Sequence, residues 1–188
     1  MSRGRTVWMA TGNRHKYGEA RQVLSELGVD LRLLEVERVE VQADDPAEIA
    51  AFSLEQIAEA EDRPVVVEDA GLFIDRYAGF PGPYSSYVLR TLSLEGMLRL
   101  MEGVEDRAAS FRSAVAFRDG DERRCFRGVV LGRIARRIRG TGGFGYDPIF
   151  IPDEGDGRTF GEMTGEEKNA ISHRARVFRS LGEWLTSA

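Results

Sequence analysis

Four short segments of this 188-residue chain carry residue types whose spacing suits phosphate and metal chemistry. The first is Thr11-Gly12-Asn13-Arg14-His15-Lys16, between an apolar run and a helical pattern. At a strand-to-helix turn, backbone N–H groups and the positive end of the helix dipole favour an anion such as phosphate, and Lys16 adds a point charge in the first turn. With a single glycine the segment is neither a Walker A loop nor G-x-G-x-x-G. On its own it is equally well explained by Gly12 serving a tight turn and Asn13 capping the helix. The second segment is acidic: Glu40 at one strand end, then Glu68 and Asp69 at the end of an apolar run. Ligands of open α/β sheets bind beyond the carboxyl ends of the strands, and carboxylate oxygens are what Mg²⁺ accepts. Adjacent acids on one strand point to opposite sides, so Glu68 and Asp69 share a site only if the chain bends at Ala70-Gly71. A solvated turn is the simpler alternative.

The third segment, Gly142-Gly143-Phe144-Gly145-Tyr146-Asp147-Pro148, combines glycines that admit a flat ligand with two aromatic rings able to stack and a carboxylate able to accept from ring N–H groups. The fourth, Glu167 to Arg174, sets Lys168 and Ser172, and Asn169 and His173, four residues apart on one helix edge. Such an edge is also what a merely solvated helix presents. Of the 26 basic residues only two are lysine, Lys16 and Lys168, and both fall in these segments.

The elements that must position these groups alternate. Arg5–Ala10 predicts a buried strand, and Lys16–Leu27 a helix with Ala20, Val23, Leu24 and Leu27 at helical spacing. Residues 31–41 predict a strand, and Pro46 opens a helix to about Ala60 with Ile49, Phe52 and Ile57 inside. Residues 64–68 form a continuous apolar run suited to a covered central strand. Two short helical patterns follow within 84–102. Strands 108–118 and 122–131 flank Asp119-Gly120-Asp121 as a hairpin, and a further strand covers 132–139. After the glycine loop, 148–152 is a short strand. Thr164 and Glu167 then form a capping box for a helix running to Leu185. The alternation predicts an α/β fold in two lobes, about 1–75 with 140–188 and about 76–139.

Composition narrows the class. At 21.0 kDa with 42% hydrophobic and 30% charged residues the chain is globular, and no apolar run approaches the roughly 18 residues of a membrane span. One cysteine, Cys125, argues for the cytoplasm over a disulfide scaffold. A net charge of −5 argues against a nucleic-acid polymer as partner. The arginine-dense stretch 123–139 fits either a polyanion patch or an ordinary exposed sheet face.

Taken in order, T-G-N-x-x-K at 11–16, E-V-Q at 40–42, V-E-D-x-G-L at 67–72, G-F-P-G-P-Y-S at 79–85, G-G-F-G-Y-D-P-I-F at 142–150 and E-K-N-A-I-S-H-R at 167–174 resemble the inosine triphosphate pyrophosphatase family. The resemblance spans almost the whole chain. It implies a two-lobed α/β fold with a long central mixed sheet flanked by helices, an active-site cleft between the lobes, and a homodimer. It also implies Mg²⁺-dependent hydrolysis of ITP, dITP and XTP to the monophosphate and pyrophosphate, with Mn²⁺ as the other candidate metal. By position, Thr11, Gly12, Asn13, Arg14, His15 and Lys16 would hold the triphosphate. Glu40 and Asp69 would bind the metal, with Asp69 as general base and Glu68 and Lys16 beside it in catalysis. Phe144 would stack on the purine, and Ala70, Gly145, Tyr146 and Asp147 would line the nucleotide. Lys168, His173 and Arg174 would reach the phosphates or the 6-oxo edge. Many relatives carry Ser or Thr where this chain has Ala70, and a lysine on the second helix where it has Glu55. The competing expectations are a septum-inhibitor-type pyrophosphatase acting on dTTP or UTP, and a nucleotide sensor that binds without turnover.

Overall fold

A computed structural model describes residues 6–36, 41–58 and 63–187. The strands are β1 (Thr6–Ala10), β2 (Asp30–Leu34), β3 (Val65–Ile74), β4 (Pro81–Gly82), β5 (Ala108–Asp119), β6 (Glu122–Ile134) and β7 (Phe150–Pro152). The helices are α1 (Arg14–Glu26), α2 (Pro46–Ala58), α3 (Ser85–Leu100), α4 (Gly165–Ile171) and α5 (His173–Thr186). The seven strands form one mixed sheet in the order β2-β1-β3-β5-β6-β7, with β4 on β3. β1 runs parallel to β2 and β3, whereas β4 is antiparallel to β3 and β7 to β6. Among the described residues no helix is long and apolar enough to cross a membrane.

Contacts divide the chain into two compact units. The first comprises residues 1–69, 113–128 and 174–188, and the second 70–112 and 129–173. Residues 140–173 therefore group with the middle of the chain, not with the N-terminal lobe as the sequence suggests. Three of its boundaries fall within β3, β5 and β6 and the fourth in the first turn of α5, so no long loop or linker marks the division in the sequence.

In the first unit the apolar run of β3 is covered on both faces, which is why it shows no alternation. Val66 packs with Val7, Met9, Val115 and Phe117 of the sheet against Val23 and Leu24 of α1 and Phe178 and Leu181 of α5. Val65 and Val67 face Ala50, Leu54 and Ile57 of α2. Phe52, expected inside, is 41% exposed, because the buried stripe of α2 is Ile49, Ala50, Ser53, Leu54 and Ile57 and residue 52 falls on the far side of a 3.6-residue turn. The second unit packs Leu72, Ile74, Met97, Phe111, Ile134, Phe150 and Phe160. Phe111 meets Phe150 edge-on at 4.6 Å between ring centroids.

Three other departures follow from local chemistry. β3 does not bend at Ala70-Gly71 but continues to Ile74, since Leu72 and Phe73 pair with Gly82 and Pro81. Gly71 permits that approach: a Cβ there would lie 2.1 Å from the Gly82 carbonyl oxygen. β6 runs without interruption to Ile134, so 132–139 is not a separate strand. The helix from Thr164 breaks at Ser172, whose backbone is extended (φ −68°, ψ 153°), giving α4 and α5. Serine is a favoured residue for starting a new helix. The two helical patterns in 84–102 meet within α3 at Ser93, which adopts φ 60°, ψ 179°.

Candidate active site

β1 delivers Thr11 and α1 begins at Arg14, so 11–13 is the predicted strand-to-helix turn. Asn13 caps α1: its Oδ1 accepts from the N–H groups of His15 at 3.0 Å and Lys16 at 3.2 Å. The buried Thr11 hydroxyl accepts from the Asn13 N–H at 3.1 Å. The turn therefore satisfies the N–H groups of Asn13, His15 and Lys16 internally. Arg14 pairs with Glu35 on the surface, and His15 is exposed.

Because β3 is straight at this point, Glu68 and Asp69 point to opposite faces. Glu68 has a fully buried side chain in the first unit. Its Oε2 lies 2.9 Å from the Lys16 Nζ. Its Oε1 accepts from the Ser113 hydroxyl at 2.8 Å and from the Arg174 Nε and Nη2 at 3.2 and 3.0 Å. Burial alone would raise its pKa, but the charges of Arg174 and then Lys16 outweigh that, and the carboxyl is held well below its ordinary value of 4.5. Arg174 is buried as well and also donates to Glu19 at 2.7 Å. Its guanidinium is thus engaged by two carboxylates. Asp69, half-buried on the other face of β3, is the remaining acid of this segment.

In the second unit Asp147 and Lys168 form an ion pair of 2.6 Å, with side chains only 3% and 4% exposed. The same Asp147 Oδ2 accepts from the Phe144 N–H at 2.8 Å. Gly143, at φ +67°, makes room for it, since a Cβ there would stand 2.0 Å from that oxygen. The Lys168 Nζ lies 4.9 Å from the centroid of the half-buried Phe144 ring, a cation–π distance. Tyr146, expected to line the nucleotide pocket, is buried against the core, where its hydroxyl donates to the Ser85 carbonyl at 2.9 Å and burial raises its pKa. His173 is also buried, its ring stacked on Phe111 at 4.6 Å. The Thr164–Glu167 capping box starts α4 as predicted, and Arg158 clamps Glu167 through both carboxylate oxygens at 2.7 and 3.1 Å. Ala70 and Gly145 are half-buried.

The structure thus brings Lys16, Glu68 and Arg174 together in one cluster and Phe144, Asp147 and Lys168 together in another. Ser113, Glu19, Phe111 and Arg158 contribute to these clusters from outside the four segments. A buried serine inside the apolar strand 108–118 was a usable signal for Ser113, and the i,i+3 spacing from Lys16 one for Glu19. Nothing local marked the other two. Several arginines of 123–139 are matched with acids, among them Arg123 with Glu55 at 2.7 Å, Arg127 with Asp45 at 2.8 Å, and Arg139 with Glu162 at 2.8 Å. That pairing favours the ordinary exposed sheet face over a polyanion patch, and it gives Glu55 an arginine partner.

Glu40 lies outside the described residues. Among those described, no group of three or more His, Cys, Asp and Glu side chains is placed to hold a metal ion. The donor chemistry around β3 still fits a hard cation. Both Glu68 oxygens are engaged by cations or a hydroxyl, and Asp69 on the other face of β3 offers carboxylate oxygens of the kind such a cation takes.

The Ham1 family model matches residues 7–184. A dITP/XTP pyrophosphatase of Hyperthermus butylicus is 45% identical over 181 residues, covering 96% of this chain and 95% of that protein. Another, from Methanopyrus kandleri, is 48% identical over 179 residues and covers 95% of each. Among solved structures, a HAM1 protein from Coxiella burnetii superposes with a TM-score of 0.86 at 30% identity, covering 98% of this chain and 100% of that one. Fold and sequence agree along nearly the whole length, and the chain belongs to the Ham1 family.

Proposed function

We propose that this protein hydrolyses non-standard purine nucleoside triphosphates, namely dITP, XTP and ITP, to the monophosphate and pyrophosphate. The carrying observation is the end-to-end match, at 45% and 48% identity, to proteins named dITP/XTP pyrophosphatase. The clusters support it. Lys16, the cation at the start of α1, serves the polyphosphate. The half-buried Phe144 ring gives the base an aromatic surface, with Lys168 as donor and Asp147 as acceptor beside it. A 6-oxo purine presents an acceptor to the Lys168 ammonium, whereas the 6-amino group of adenine presents a donor that this ammonium cannot accept.

Asp69 and Glu40 are the residues to hold Mg²⁺. When bound, the ion neutralises phosphate charge and makes a water molecule more acidic. The Asp69 carboxylate then takes the proton of the attacking water, while Lys16 holds the phosphates in line. An ordinary carboxylate is a weak base at neutral pH, so positioning and charge compensation carry most of the acceleration. A homodimer belongs to the same proposal, supported by the exposed Tyr84, Tyr87 and Leu92 at α3. Light scattering would show a dimer as twice the 21.0 kDa chain mass.

Product identity tests the proposed cleavage. XTP incubated with protein and Mg²⁺ should yield xanthosine monophosphate and pyrophosphate in equal amounts. Xanthosine diphosphate and inorganic phosphate would place the cut at the terminal phosphate and overturn it.

A further inference from the structure

The charges around Glu68 form an alternating row within the first unit: Glu19, Arg174, Glu68, Lys16. Exposure changes sharply along it. The side chains of Glu68 and Arg174 are 0% and 3% accessible, and that of Lys16 is 18% accessible. The two ends of the row, Lys16 and Glu19, have side chains 18% and 17% accessible, and Lys16 is the cation among them, the end that an anionic ligand can engage. The two oxygens of Glu68 are also used unequally. Oε2 meets the Lys16 ammonium at 2.9 Å, whereas Oε1 takes two N–H groups of Arg174 and the Ser113 hydroxyl.

That inequality decides what can move. A buried carboxylate with one cation cannot lose it without becoming an uncompensated buried charge. Glu68 with Lys16 withdrawn keeps a guanidinium and a hydroxyl on Oε1. The side-chain types fit the division of labour. Lysine is a compact charge on a flexible stem, and arginine a planar fork that holds several acceptors at once. In a chain with two lysines among 26 basic residues, a lysine stands at an accessible end and an arginine at the buried centre.

We propose that Glu68 is a positioning residue: it parks Lys16 in the free protein and yields it to the polyphosphate of the substrate, while Arg174 and Ser113 keep its own charge compensated. Glu68 touches neither the reacting atoms nor the metal, which fall to the opposite face of β3 with Asp69. The inference rests on Lys16 being the polyphosphate cation.

The scarcity of lysine makes the parking directly measurable. Acylation of the intact protein by an amine-reactive acetyl ester, followed by peptide mass analysis, reports Lys16 and carries Lys168 as an internal control. Glu68→Gln, which keeps the size of the side chain, should accelerate acylation of Lys16 severalfold and leave Lys168 unchanged. Ser113→Ala, a milder change, removes one of the groups that compensate Glu68 and tightens its hold on Lys16. Acylation of Lys16 should then slow, and KM for XTP should rise about threefold with kcat little altered. In turnover of XTP, Glu68→Gln should lower kcat about tenfold, because Lys16 is no longer held in position, without raising KM, yet add no further loss to Lys16→Met. Multiplying losses in the double variant, or Lys16 acylation unmoved by Glu68→Gln, would overturn the proposal. If the unmodified protein fails to turn over XTP, the proposed function falls, while the acylation rates still decide whether Glu68 parks Lys16.

Discussion

Removing the Asp147 carboxylate leaves the Lys168 ammonium buried without its anion, and the size of the effect follows from the geometry. The pair is 2.6 Å apart with side chains only 3% and 4% exposed, so solvent does little to screen it. Deleting one partner of such a pair costs about 3–5 kcal/mol, because the remaining charge keeps its desolvation penalty and loses its compensation. The Phe144 N–H loses its acceptor in the same step. For a chain of this length each kcal/mol lowers Tm by roughly 2–4 °C, so Asp147→Ala should lower Tm by about 6–20 °C. Adding Lys168→Met removes the stranded charge while keeping an apolar stem of similar length. The double variant should recover about 2–3 kcal/mol, the coupling expected of groups in direct contact. Differential scanning calorimetry on the two single variants and the double gives the full cycle. A double variant less stable than Asp147→Ala, with the two losses adding, would refute the buried pair as the cause.

Asp69→Asn should lower kcat for XTP by about 10²–10⁴-fold, the usual yield of a general base, while calorimetric binding of XTP remains measurable. An active variant would remove Asp69 from the chemistry. Ser93 is a non-glycine residue in a backbone region that glycine alone visits freely. Ser93→Gly should relieve about 1 kcal/mol or more of strain and raise Tm by roughly 2–4 °C. A fall in Tm would show that the contact between Ser93 and Glu95 outweighs the backbone term.

The strand-turn-helix at Thr11–Lys16, the hairpin around Gly120 and the capping box at Thr164 were all legible, because each is encoded by residues within a few positions of one another. The Asp147–Lys168 cluster was half legible: both residues stood out within their segments, but their contact spans 21 positions. The Glu68 cluster was less so, since its partners Ser113 and Arg174 are 45 and 106 residues away. Local periodicity carries no record of such contacts. The same limit explains Glu68 and Asp69. Whether they share a side depends on β3 continuing past Ala70, and that depends on β4 closing over Gly71. Tyr146 shows another limit: its place among glycines gave no sign that its ring joins the core and that its hydroxyl finds the Ser85 carbonyl. The break at Ser172 was hidden because Ile171, Ala175 and Phe178 keep helical spacing across it.

The most direct measurement is the rate of pyrophosphate release from ITP, dITP, XTP, GTP, ATP and dTTP, with and without Mg²⁺. A non-standard purine pyrophosphatase should give kcat/KM values for ITP, dITP and XTP well above those for ATP and dTTP, with turnover abolished by chelating the metal. Equal rates for ATP and XTP, preference for dTTP, or nucleotide binding without any pyrophosphate release would contradict the proposed function.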